Sequence, residues 1–164
     1  MRKIFKFGDN LDTDAIIPAQ FCGDLDNDNL RKHCMYNVYD NFYKKVNFGD
    51  VIVGGVNFGC GSSREMAPLS IKQTGIELII AKSFSRIFLR NAINIGLQLV
   101  VDSHFYELSN DGDEVLVNND CIKNINTGAE IDIKKQKKIV NKLIVEYGGL
   151  MNVAEGILNG EIAI

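Results

Sequence analysis

The sequence predicts a single α/β domain built on a mixed sheet, and three observations carry that reading. Apolar runs at Asp50–Val56, Gly75–Ala81 and Gly96–Val101 each have the length of one strand. The first reads continuously, as a strand buried on both faces does. Helical spacing lies between them, from the residues after Ser62 to Thr74 and again over Ser83–Ile95, so strand and helix alternate. Beyond residue 101 the pattern turns β-rich: Glu114–Val117 and Glu130–Ile133, separated by turns bearing Asn, Asp and Gly, suggest a small antiparallel unit. A chain of 164 residues is the size of one domain.

Taken in order, Ile4, Phe5 and Phe7 belong to a short first strand that ends in the turn-rich Gly8-Asp9-Asn10. Asp12-Thr13-Asp14 follows, two carboxylates flanking a hydroxyl, which as residue types make an ordinary turn or helix cap. Gln20 to Asp26, with Phe21, Cys22 and Gly23 in it, is a polar glycine-bearing loop of a length that can be mobile and overhang a pocket. Asn29–Tyr39 reads as a short helix or irregular segment, with His33 on its surface.

The run ending at Val56 delivers Asn57-Phe58-Gly59-Cys60-Gly61-Ser62-Ser63-Arg64-Glu65. Strand, glycine loop and helix form the layout of an anion site. Gly59 and Gly61 permit a tight turn with positive φ and a close approach of backbone to ligand. Amides at the start of the next helix favour negative charge, and Arg64 adds a fork of donors that matches a carboxylate or phosphate. The same spacing, Ser62-x-x-Glu65, also fits a capping box. Pro68 separates the two: a helix starting at Ser63 would carry proline past its first turn, whereas a start nearer Glu65 frees both serines for the loop.

Over Ser83–Ile95 the apolar stripe is Phe84, Ile87, Phe88 and Ile95, with Arg86 and Arg90 sharing another side. Residues Lys134–Tyr147 have the pattern of a basic amphipathic helix, with Ile139, Leu143 and Ile144 as its stripe, stopped by Gly148-Gly149. Leu150–Leu158 is expected to be a last short helix. His104 is read as a local polar contact.

Composition narrows the function. An apolar share of 46 % and a charged share of 24 % are those of a globular protein, and a net charge of −3 offers no electrostatic footprint for nucleic acid. No run reaches membrane-spanning length and the amino terminus lacks a signal peptide's apolar core, so the expectation is a cytoplasmic protein. Cys22, Cys34, Cys60 and Cys121 include no C-x-x-C pair and fit no compact cluster pattern, so reduced thiols are expected and no metal site in this chain. A serine hydrolase would need a base beside Ser62 or Ser63, and neither His33 nor His104 stands in a recognisable catalytic setting. The lysine of a P-loop is missing.

Four motifs in sequence order then carry a resemblance. Gly8-Asp9-Asn10-Leu11-Asp12-Thr13-Asp14, Asn57 to Glu65, Ala81 to Phe88 and Arg90-Asn91-Ala92-Ile93-Asn94 together resemble the small-subunit family of the 3-isopropylmalate dehydratases. That family is the separate swivelling domain of the aconitase superfamily, and the resemblance covers nearly the whole chain. It implies an aconitase-like swivelling β/β/α domain acting in a heteromeric hydro-lyase of leucine biosynthesis, which interconverts 2- and 3-isopropylmalate by dehydration and rehydration. It further implies Ser62 as catalytic base, Ser63 as its hydrogen-bonding neighbour and Arg64 as ligand of a substrate carboxylate. Thr13 and Asp14 become site support, and Arg86 and Arg90 are drawn toward the serine loop or a partner interface. The [4Fe-4S] cluster, and the acid that protonates the leaving hydroxyl, would come with a large-subunit partner. In this family the 20–26 loop sets substrate choice, and aconitases place an arginine there. Phe21, Cys22 and Gly23 offer none, so a tricarboxylate would leave a carboxylate unpaired and an alkyl group fits better. The loop lacks the larger aliphatic residues usual for isopropylmalate, which leaves 2,3-dimethylmalate and citramalate as alternatives. Met66 stands where relatives usually have histidine. A reading of another class, a non-catalytic carboxylate- or phosphate-binding module, follows from the loop alone.

Overall fold

Alternate side chains of Val51, Ile52 and Val53 point to opposite sides of a strand, and both sides are buried. This is the organising feature of the computed structural model, which describes residues 1–23, 26–118, 120–133 and 147–159. Strands β1 (Arg2–Lys6), β2 (Val51–Gly54), β3 (Leu78–Ala81) and β4 (Gln98–Val101) run parallel, with Ile4 opposite Val51, Val51 opposite Leu78 and Leu78 opposite Gln98. On the other side of β1, strands β5 (Glu114–Val117), β6 (Cys121–Asn124) and β7 (Glu130–Asp132) continue the sheet antiparallel. The order β4-β3-β2-β1-β5-β6-β7 makes one mixed sheet of seven strands among the described residues.

Each face of the sheet has its own core. Phe5, Ile52, Ile79 and Leu99 pack under helices α1 (Thr13–Ile16), α2 (Asn27–His33), α4 (Met66–Gln73) and α5 (Arg86–Asn94), where Ile16, Leu30, Ile71 and Phe88 close the layer. Ile4, Val53, Ile80 and Val100 face the other way, onto Phe105 of α6 (Ser103–Leu108) and the inner residues Val115, Ile122 and Ile131. Burial on both faces is why β2 and β3 read as continuous apolar runs. A four-residue helix α3 (Phe42–Lys45) precedes β2, and Leu150–Leu158 is helical, as expected.

Caps fix where the helices begin. Asp12 accepts from the Ala15 amide at 2.6 Å, Ser85 from Phe88 at 3.3 Å and Asp102 from Phe105 at 2.8 Å. The start of α4 is different: it begins at Met66, and Glu65 before it makes no side-chain cap. Pro68 is then the third helical residue, where its missing N–H has no intrahelical partner to lose.

Several expectations are revised. Strand β6 and helix α6 escaped notice, because Cys121-Ile122-Lys123-Asn124 has one core-directed apolar residue and α6 rests mainly on Phe105. Ile87 is 46 % exposed, off the stripe assigned to it, since α5 starts at Arg86 and turns Phe88 and Ala92 inward. Phe84 precedes that helix and bridges to Phe58 as a strand partner. Of the basic amphipathic helix, residues 134–146 lie outside the described residues, and Tyr147 is in a turn.

Candidate active site

The connections that leave the carboxyl ends of β1, β2 and β3 meet one another, and the serine loop lies between the other two. On one flank the Gly59 amide donates to the Leu11 carbonyl and the Thr13 amide to the Cys60 carbonyl, both at 2.8 Å. On the other, the Phe58 amide donates to the Ser83 carbonyl at 2.9 Å and the Ser85 amide returns to the Phe58 carbonyl at 3.0 Å. Side chains complete the seam. Ser83 Oγ accepts from the Asn57 amide at 2.8 Å, and Ser85 Oγ donates to the Gly59 carbonyl at 2.6 Å. A loop bonded on both flanks holds its shape without a ligand.

Gly59 is required twice over. Its φ is +74°, and a Cβ there would stand 2.2 Å from Cγ of the Phe88 ring. Gly61, at φ +94°, allows the chain to turn over Thr13, whose Oγ1 would be 3.2 Å from an added Cβ. Thr13 is itself buried, and its hydroxyl donates to the Ser62 carbonyl at 3.2 Å. The next amide to turn back is that of Arg64, which also bonds the Ser62 carbonyl, at 2.8 Å. Ser62 thus has its backbone clasped from two sides while its side chain, like that of Ser63, is exposed. Because α4 begins at Met66, the capping box is not formed and neither hydroxyl is used as a helix cap.

Arg64 is aimed by two acceptors. Its Nη1 donates to Asp14 Oδ1 at 2.5 Å and to the Ile17 carbonyl at 3.3 Å. Nη2 and Nε take no partner among the described residues, so one edge of the fork remains for an anion. Asp12 serves as the cap while Asp14, two residues on, holds the arginine, so the acidic pair has a structural member and a site member.

Next to Arg64 comes the loop with Phe21, Cys22 and Gly23; Asp24 and Leu25 after them are outside the described residues. Residues Ala19–Phe21 form a 3-10 turn. Cys22 Sγ donates to the Pro18 carbonyl at 3.6 Å, one residue from the carbonyl that Arg64 uses. Burial pushes the Cys22 thiol up from its ordinary range, opposed by Arg64 and aided by Asp14. The Phe21 ring stacks on His33, and Gly23 is exposed.

The site-supporting serines Ser83 and Ser85 carried a sequence signal that reasoning from residue types passed over. Serine just before an apolar helical stripe is a cap signature. What it does not show is that the capping oxygen also donates to a glycine carbonyl in another loop. Asn10, whose Oδ1 accepts from Asn57 Nδ2 at 3.1 Å, was legible only as a turn former.

Residues 41–102 match the model of the family described as Aconitase C-terminal domain. The 3-isopropylmalate dehydratase small subunit of Caldanaerobacter subterraneus subsp. tengcongensis is 49 % identical over 152 residues, covering 92 % of this chain and 94 % of that protein. This chain belongs to the 3-isopropylmalate dehydratase small-subunit family. A solved structure from Methanocaldococcus jannaschii, described as 3-isopropylmalate dehydratase, superposes with a TM-score of 0.88 at 42 % identity, over 98 % of this chain and 95 % of that one. The 2,3-dimethylmalate dehydratase small subunit of Eubacterium barkeri is 44 % identical over 156 residues, 95 % of this chain and 92 % of that protein. The small-subunit family thus includes proteins named for malates with different alkyl groups.

For a member of this small-subunit family, the cluster question is one of donors. Cys22, Cys34, Cys60 and Cys121 are free thiols, and among the described residues no three His, Cys, Asp or Glu side chains are grouped to hold a metal ion. Cys34 is buried in the core, where its thiol is pushed up to about 12 by burial, unsuited to a thiolate ligand. Among the described residues the donor set does not fit an iron–sulfur cluster. Among the described residues no helix is long and apolar enough to cross a membrane.

Proposed function

We propose that this chain is the small subunit of a heteromeric hydro-lyase that interconverts 2-isopropylmalate and 3-isopropylmalate, with Ser62 as the base. The observation that carries the proposal is the pairing of an exposed Ser62 on a doubly bonded loop with an Arg64 fork whose outer edge has no partner among the described residues. Dehydration of a 2-hydroxy acid removes a weakly acidic proton next to a carboxylate and expels hydroxide. Arg64 binds that carboxylate and places the proton against Ser62, while its positive charge favours the serine alkoxide over the neutral hydroxyl. Ser63 supplies a neighbouring hydroxyl as hydrogen-bond donor. Rehydration adds water in the opposite sense: Ser62 returns the proton to the carbon that lost hydroxide, and hydroxide adds to the carbon that lost the proton. The [4Fe-4S] cluster, which would supply Lewis-acid help for the leaving hydroxide, and the acid that would protonate it would come with the large subunit, so the isolated small subunit is expected to show no turnover. Cytoplasmic residence accompanies this reading.

Substrate choice belongs to the 20–23 loop. With no cation among Gln20, Phe21, Cys22 and Gly23, the far end of the substrate is an alkyl group and not a third carboxylate. Cys22 and Gly23 depart from the larger aliphatic residues usual for isopropylmalate, which keeps 2,3-dimethylmalate or citramalate as the second reading, in keeping with the Eubacterium barkeri relative. The test is anaerobic reconstitution with the large subunit and assay against isopropylmalate, citramalate, 2,3-dimethylmalate and citrate. Preference for isopropylmalate supports the first reading and preference for a smaller alkylmalate the second. Efficient citrate turnover would defeat both. Ligand binding by the isolated chain, with no turnover in any reconstitution, would make it a carboxylate-binding module.

A further inference from the structure

The loop that carries Cys22 is held to α2 by an aromatic contact. Phe21 and His33 stack with centroids 3.6 Å apart and planes 12° from parallel, and Tyr36 meets the edge of Phe21 at 5.3 Å. The backbone is tied at the same place, where Asn29 Nδ2 donates to the Phe21 carbonyl at 3.0 Å. His33 is itself fixed: its Nδ1 lies 2.9 Å from the Asn29 carbonyl. A carbonyl only accepts, so Nδ1 carries the proton and the ring cannot turn without losing that bond. At the other end of the loop, Arg64 Nη1 and Cys22 Sγ donate to the successive carbonyls of Ile17 and Pro18. Both groups hang on one extended stretch of backbone, and the charge of the guanidinium acts on the thiol. The connection runs from the imidazole on α2 through the ring stack, Phe21 and Cys22 to the Ile17-Pro18 stretch that Arg64 also uses.

We infer that His33 is a positioning residue for substrate selection: by clamping the Phe21 ring it fixes where Cys22 and Gly23 stand relative to Arg64, and so the size of alkyl group the site accepts. The inference rests on the alkylmalate reading, in which this loop faces the alkyl end of the substrate. Phe21 acts as the anchor of the loop, and Cys22 and Gly23 form its working edge. The clamp uses the shape of a flat ring. No proton transfer by His33 is involved.

The test compares holoenzymes containing the unaltered chain, His33→Ala and His33→Phe, each assayed with isopropylmalate and citramalate. Hydrogen exchange across residues 19–23 is measured on the same full-length chains, because the Phe21 and Cys22 amides there are bonded to the Pro18 and Ala19 carbonyls. His33→Ala is expected to raise KM for the better substrate by about 2- to 12-fold, the size of a lost aromatic pair. It should also change the ratio of kcat/KM between the two malates and leave kcat nearly unchanged, as for an interaction made equally in ground and transition states. Exchange across 19–23 should quicken. His33→Phe keeps the ring and should restore both readouts. Unchanged selectivity in His33→Ala overturns the inference, whether or not exchange quickens. A defect that His33→Phe does not restore also overturns it, since the bond to Asn29 would then be what matters. If the unaltered holoenzyme turns over neither of these malates nor 2,3-dimethylmalate, the alkylmalate reading fails by itself; unchanged exchange in His33→Ala would then overturn the clamp separately.

Discussion

Arg64 Nη1 stands 2.5 Å from Asp14 Oδ1, across 50 residues of sequence. Asp14 approaches from α1 and Arg64 from the loop after β2, so the pair fixes the arginine's direction before any substrate arrives. The same Nη1 also reaches the Ile17 carbonyl, which leaves the opposite edge of the guanidinium for an anion.

Asp14→Ala should therefore impair substrate handling more than folding. The carboxylate is 58 % exposed, and pairs of that exposure contribute about 0–1 kcal/mol to stability. The expected outcome is a melting temperature close to the original and a kcat/KM lowered about tenfold through KM, the signature of lost binding. Steady-state kinetics beside a thermal melt check it, and a collapse of stability with intact KM would oppose the assigned role.

The two loop glycines should separate stability from activity. At Gly59 a methyl group meets Phe88 at 2.2 Å in a left-handed backbone, a conformation that alone costs roughly 1–2 kcal/mol for a residue with a Cβ. Gly59→Ala is expected to unfold at markedly lower denaturant. Gly61→Ala, at φ +94°, carries the same backbone cost, but its nearest neighbour is the Thr13 hydroxyl at 3.2 Å and not a ring at 2.2 Å, so the chain should lose less stability, fold with a displaced Ser62 and lose most of its turnover. Denaturant melts of both variants with kinetics of the second decide the matter.

Ser85→Ala removes the cap of α5 and the donor to the Gly59 carbonyl together. A lost cap costs about 1 kcal/mol and an abandoned acceptor about as much again. The measurable consequence is a lower melting temperature accompanied by lower kcat. Ser85→Thr, which keeps the hydroxyl, should recover most of both.

Alkaline pH should weaken the fold through Cys34. Burial raises its thiol from the ordinary 9.0 to about 12, with the nearby Ser70 hydroxyl acting the other way. The folded chain then holds its proton where the unfolded chain has lost it, so this contribution is complete below pH 9 and declines as pH climbs toward 12. Denaturation midpoints measured from pH 7 to 11 should fall above pH 9 and fall less in Cys34→Ala. Thiol labelling at pH 8 should spare Cys34 in the folded chain.

The sequence made β2 and β3 legible because both faces of each are buried, so Val51–Val53 and Leu78–Ala81 are apolar at every position. Strand β6 was illegible for the opposite reason: with Lys123 outward and Asn124 buried against Ser109 and Asp113, its pattern is mostly polar. Gly59, Gly61 and Arg64 announced an anion loop through residue chemistry, and Pro68 placed the start of α4. The partnership of Asp14 with Arg64, of Ser85 with the Gly59 carbonyl and of His33 with Phe21 could not be read from local pattern, since each joins groups from different segments. Long-range contacts of this kind depend on the sheet order, which no short window encodes.

The central claim is that Ser62 takes the substrate proton, and kcat of the Ser62→Ala holoenzyme tests it most directly. A positioned base contributes on the order of 10²–10⁴-fold. The account predicts a loss of at least that size, with the melting temperature, assembly with the large subunit and substrate affinity all retained. Turnover within a few-fold of the unaltered enzyme would contradict it and move the base to another residue.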